Sequence, residues 1–213
     1  MDTIVFGTPQ APTTRLTPYR SLVRVSHPVV DPVTLSEAKT QCRVDTNADD
    51  AYIASLIRMA TNTVEELLDT SFISQAWQVS YDLFPIWAII LPRAPMAQGT
   101  VTVTYRLGDG TTQTLSSANG DFQVDYNVIP GRIYPKWATS WPATRGDENS
   151  VIVRYPAGYG PSGFSVPPQA RHLIMVLVAH LYDTRQPTAP GSVSSVPYMF
   201  DTLLAASGLG VYR

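Results

Sequence analysis

Three short stretches carry residue types that could do chemistry. Gly158-Tyr159-Gly160-Pro161-Ser162-Gly163 matches G-x-G-x-x-G, where glycines let backbone approach a pyrophosphate at a helix N-terminus. Asp183 stands twenty residues beyond the last glycine, where such motifs place a ribose ligand. The context fails, because Pro167 and Pro168 hold the helix body away from Gly163 and Asp183 falls inside a helical pattern. The adopted reading is a glycine-rich turn that enters a helix. Asp45-x-Asn47-x-Asp49 begins like a calcium loop, but Asp50 replaces the turn glycine and Leu56 the closing glutamate. That stretch reads as a polar turn between helices. His180 and Asp183 are three apart on one helix and could share a proton or a metal. His172 is too far around and along that helix to join them, so a polar surface patch is expected.

Other reactive patterns are missing. The sequence has no G-x-S-x-G elbow, H-E-x-x-H pair or P-loop. Cys42 is the single cysteine, which excludes a disulfide framework within the chain and reads as a packed thiol on an apolar helix face. Basic residues stand singly or in pairs, so tight nucleic-acid binding is not expected. No catalytic, cofactor-binding or metal residue is assigned, no cofactor is expected, and the chain is read as a non-enzyme.

The elements that would position any site follow from periodicity. Thr34-Leu35-Ser36-Glu37 is a capping box that opens a helix carrying Leu35, Ala38 and Cys42 on one face. Asp49 is the expected N-cap of a second helix, whose stripe is Ile53, Leu56, Ile57, Ala60, Val64, Leu67 and Leu68. From Ser74 to Tyr155 the period changes to two, which predicts six or seven antiparallel strands, with a hairpin turn at Gly108-Asp109-Gly110. Pro167 and Pro168 suit the first turn of a third helix, apolar around most of its circumference and ending near Arg185. Trp137 to Asn149 reads as an exposed loop holding Trp137 and Trp141.

The expected architecture is α+β: a small helical bundle of two N-terminal helices and a long C-terminal helix, with an inserted antiparallel β domain. The divisions are an extended arm over 1–30, helices over 31–73, the β domain over 74–156, the long helix over 157–186, and a linker with a final segment over 187–213. A short edge strand is expected near the end of the arm, where Leu22, Val23, Val25, Val29 and Val30 fall.

Bulk composition adds modest bounds. The chain has 213 residues, 44% hydrophobic and 15% charged, with a net charge of −2. One large domain or two small ones fit that length, with enough core to need no staples. The N-terminal residues have no basic and apolar leader pattern, and no apolar run approaches the ~20 residues that span a bilayer, so a soluble protein with no membrane contact is expected. Acids concentrate between Asp31 and Thr70, while Arg15, Arg20 and Arg24 mark the arm.

Taken together, several segments resemble the head–tail connector (adaptor) proteins of tailed bacteriophages. They are Pro32-Val33-Thr34-Leu35-Ser36-Glu37-Ala38-Lys39, Val44-Asp45 with Asp49-Asp50-Ala51-Tyr52-Ile53, Gln75-Ala76-Trp77, Ile90-Leu91-Pro92-Arg93-Ala94-Pro95, Val151 to Gly160, and the helix Val166 to Arg185. The resemblance covers roughly residues 29–186. It implies a structural virion subunit that forms a ring of about twelve copies beneath the portal and extends the DNA channel. The implied partners are the portal protein and a downstream neck, stopper or tail protein, with genomic DNA as passing cargo. The implied location is the virion neck, after assembly in the host cytoplasm. Helices similar to 34–43, 50–70 and 167–186 would build the ring wall, and the β region would decorate it. Carried over from related adaptors, a C-terminal docking segment would make Tyr198, Phe200, Leu203, Leu204 and Tyr212 portal anchors. Glu65, Glu66 and Asp69 are assigned as channel-facing acids that would let DNA slide. A monomeric β-rich recognition module using Trp137 and Trp141, and a small nucleotide-binding α+β enzyme, remain alternatives.

Overall fold

The capping box at Thr34 forms as the sequence dictates. In the computed structural model, which describes residues 19–184, the Glu37 amide donates to Thr34 Oγ1 at 3.3 Å and the Thr34 amide to Glu37 Oε2 at 2.9 Å. Two orphan amide groups are thereby satisfied at the start of α1, Leu35–Cys42. Arg43 closes α1 in the left-handed region, with φ 57°. Helix α2, Asp50–Leu68, buries Ile53, Leu56, Ile57, Ala60, Val64 and Leu68, the stripe expected from a 3.6-residue period, while Leu67 stays half exposed. Helix α3, Pro168–Asp183, starts immediately after Pro167 and packs on both α1 and α2. Ala38, Ile57, Phe72, Leu173, Ile174 and Val178 belong to the shared core of the three helices.

Asp49 precedes α2, yet its side chain makes no cap hydrogen bond. Its carboxylate instead accepts from the Tyr182 hydroxyl at 2.6 Å. A tertiary partner on α3 has replaced the local one, and it ties the start of α2 to the end of α3.

Between α2 and α3 the chain forms β2 (Gln75–Tyr81), β3 (Ile89–Leu91), β4 (Thr102–Arg106), β5 (Thr112–Ser116), β6 (Phe122–Asp125), β7 (Gly131–Pro135) and β8 (Val151–Ala157). β1, Ser21–Arg24, comes from the segment read as an arm. It is the short edge strand, in register with β2 from Ser21 opposite Ser80 to Arg24 opposite Trp77. These strands make two antiparallel sheets, ordered β1-β2-β8-β4-β5 and β3-β7-β6. Leu22, Val79, Val153, Val103 and Leu115 align across the larger sheet and face one apolar cluster, joined there by Ile89, Leu91 and Ile133 from the smaller one. The alternating pattern therefore marks two sheets that share a filling. No helix among the described residues is long and apolar enough to cross a membrane.

Candidate functional site

The glycine-rich segment is a crossing of chains. Gly158 has φ 128°, and a Cβ there would sit 2.6 Å from the Ile73 carbonyl oxygen. A Cβ on Gly163 would meet the Pro32 carbonyl oxygen at 2.6 Å. The Gly158 amide donates to the Pro95 carbonyl at 2.9 Å and the Tyr159 amide to the Phe72 carbonyl at 3.0 Å. Two of the amides that a phosphate cradle would use are thus committed to protein, and Gly158 and Gly163 are required by close backbone approach.

The calcium-like turn holds a cation of its own. Lys39 Nζ donates to Asn47 Oδ1 and Asp50 Oδ1, each at 2.7 Å. Among the described residues no group of three or more His, Cys, Asp or Glu could hold a metal ion. The Cys42 thiol is half-buried, and burial, followed by the Asp183 charge, pushes its pKa up. That opposes thiolate formation and fits a packed residue.

The three acids assigned to the channel separate by environment. Glu65 is 2% exposed. Its Oε1 accepts from the Phe72 amide at 2.8 Å and from Gln75 Nε2 at 3.1 Å, and its Oε2 pairs with Arg24 Nη2 at 2.8 Å. Burial pushes its pKa up, opposed by the Phe72 amide and Arg24. Glu65 therefore cannot face a channel; it is an internal post that fastens β1 to α2. Glu66 is exposed, and Asp69 is half-buried, with Arg93 Nε 3.6 Å away. Arg24 and Arg93 both lie over the Trp77 ring, each 5.1 Å from its centroid, and Trp77 Nε1 donates to Ser71 Oγ at 2.8 Å. This Arg24–Glu65–Trp77–Arg93 cluster escaped sequence reasoning, since its members are scattered over 24–93 and meet only once β1 pairs with β2. The portal anchors Tyr198, Phe200, Leu203, Leu204 and Tyr212, and the linker before them, lie outside the described residues.

One end of the β region carries a second feature. Trp141, expected in an exposed loop, is half-buried and stacks on Phe84 with ring centroids 5.0 Å apart and planes 1° from parallel. Phe84 also meets the edge of Tyr105 at 5.5 Å, and Trp141 leans on Phe122 at 6.3 Å. This stack welds the 82–88 loop to the 136–149 loop. On the same two loops, Leu83 (54%), Ile86 (87%), Trp87 (78%) and Trp137 (89%) are exposed. Arg20 pairs with Asp82 at 3.0 Å and Glu148 at 2.9 Å, and Arg106 with Asp147 at 3.1 Å. The result is an apolar centre beside satisfied charges, the anatomy of a contact surface. The signal in the sequence was Ile86-Trp87 after Pro85, an apolar pair in what should be a polar turn.

Comparison with known proteins speaks to these surfaces. Residues 32–88 match the family model described as phage gp6-like head-tail connector protein. Over that span, the sequence is similar to phage head–tail connector proteins. The matched segment holds α1, α2 and β2, with Glu65 and Trp77 of the charge cluster, and the family is structural rather than catalytic. Solved structures extend the likeness to the remaining fold. A chain from the neck of an empty GTA particle computed with C6 symmetry matches with a TM-score of 0.73 at 20% identity, covering 91% of this chain and 96% of that one. One from the virion of a native gene transfer agent (GTA) particle matches with a TM-score of 0.72 at 19% identity, covering 90% and 96%. A third, from the neck of a native GTA particle computed with C12 symmetry, gives 0.64 at 18% identity over 91% and 96%. At these identities the likeness is one of fold. No match is found among curated proteins.

Proposed function

We propose that the chain is a head–tail adaptor, a ring subunit of about twelve copies between portal and neck that extends the channel for passing DNA. The observation that carries this reading is the connector match over 32–88 together with a fold shared, nearly end to end, with chains from symmetric particle necks. The mechanism is shape and contact. The three-helix unit supplies a rigid body, and β1, latched by Glu65, fixes the inner end of the N-terminal segment. Glu66 and Asp69 remain as acids that could meet passing DNA; Glu65 does not.

The C-terminal segment with Tyr198, Phe200, Leu203, Leu204 and Tyr212 would dock on the portal, and the opposite face of the ring would meet a downstream stopper or tail protein. Deleting residues 197–213 and assaying binding to portal-bearing capsids tests the docking role. Lost binding with retained folding is expected, and undiminished binding would remove the tail as anchor. A recognition module using both tryptophans is disfavoured because Trp141 is already stacked on Phe84. A dinucleotide site is disfavoured because Gly158 and Gly163 are held against Ile73 and Pro32.

A further inference from the structure

Two exposed apolar surfaces lie at different places on the chain. The first is the tip of the β region, where Leu83, Ile86, Trp87 and Trp137 are exposed on the two loops that the half-buried Phe84–Trp141 stack joins. Pairing of Ile89 with Ile133 sets the 82–88 and 136–149 loops at the same end of the smaller sheet. The four side chains together offer apolar surface on the order of 600 Å², at the upper end of what a monomer leaves open. The second is a flank made by β1 and the turn after it, with Val23 51%, Val25 47%, Val29 98% and Val30 44% exposed. β1 is also the edge of its sheet, so no described strand covers its outer side. An apolar edge strand invites a partner.

We infer that the tip of one copy packs on the valine flank of the next copy around the ring; this rests on the ring reading and names its contact. Three observations favour a second copy over another partner. The chain carries both a rigid aromatic tip and a place to receive it, and unlike surfaces that meet head to tail are what close a ring. The Val25 end of the flank lies far from the tip of its own chain. The tip lies beyond Tyr81 at one end of β2, whereas the Val25 amide bonds the Ala76 carbonyl at the other end, about 20 Å away at ~3.3 Å per residue. The area also falls short of the roughly 800 Å² per partner of a stable free complex, so the contact suits subunits already gathered on a particle.

The test uses the full chain with Cys42→Ala, assembled on portal-bearing capsids and treated with a short bismaleimide. Positions 87 and 29 are surface sites, so Trp87→Cys and Val29→Cys should leave the melting temperature close to that of the parent. The chain carrying both substitutions should give a ladder of cross-linked multimers. An equal mixture of the two single variants should give dimers, and each single variant alone should give none. Dimers from Trp87→Cys alone would mean tip-to-tip contact and overturn the inference. Absent cross-links in variants that electron microscopy still shows as a ring would mean the tip faces another component, and would also overturn it. If the parent chain itself joins no ring, the ring reading fails separately.

Discussion

At the residue scale, buried charge is the most consequential feature, and Glu65 is where it sits. Removing it by Glu65→Ala would leave the Arg24 guanidinium, the Phe72 amide and Gln75 without their shared acceptor. Breaking such a pair costs about 3 kcal/mol, which should appear as a large fall in melting temperature. Hydrogen exchange should show Leu22 to Arg24 losing protection before the helices do. Glu37 works in the opposite electrostatic sense. The Thr34 amide, then the Thr34 hydroxyl and Arg171, hold its pKa below the usual glutamate value, against a smaller opposing effect of burial. A carboxylate with a lowered folded-state pKa contributes stability above its unfolded value of 4.5 and loses it as pH falls through the lowered one. Glu37→Gln should therefore cost about 1 kcal/mol near neutrality and progressively less as pH falls below 4.5, measured by melting across pH. Thr34 and Glu37 were legible because their partners are three residues apart. Glu65 was misread as a channel acid because its partner Arg24 is 41 residues away, and a period-3.6 stripe does not reveal a carboxylate turned inward.

At the element scale, the helices and strands follow the two periods in the sequence, and the departures have tertiary causes. The seven strands between α2 and α3 fall within the period-two stretch, with clear alternation in β4 and β8 and none in the exposed β5, but their division into two sheets depends on which strands pair, and pairing is not written in alternation. Asp49 forgoes its cap because Tyr182 reaches it from α3. The tip loops depend on one aromatic stack, so Trp141→Ala should expose Phe84 and cost about 2 kcal/mol or more, with faster exchange over 82–88 and 136–149 but not in α3. The glycine crossing is equally local. Gly158→Ala places a methyl against the Ile73 carbonyl in a backbone conformation that side chains avoid, so destabilisation beyond ~1 kcal/mol is expected from thermal melts. Those glycines looked like a nucleotide motif because sequence records only that a side chain is forbidden, not whether a ligand or another strand forbids it.

At the scale of the whole molecule, the chain joins a segment similar to head–tail connectors, and a fold like that of chains from GTA particles, to two apolar surfaces that its described residues leave open. The family resemblance was legible from ordered short segments, with the capping box and the Gln75-Ala76-Trp77 strand among them. The contact surfaces were not, since Val29 and Trp87 become exposed only through the way β1 and the tip loops are placed. Glu66→Lys, at an exposed position, should leave folding and ring formation intact while slowing DNA release from particles. The most direct measurement is cryo-electron microscopy of particles assembled with this chain, with the fold of residues 19–184 fitted into the neck. The account predicts a closed ring of about twelve copies immediately below the portal, with DNA passing through it. Particles whose necks lack this chain, or hold it as an isolated copy outside the channel, would contradict it.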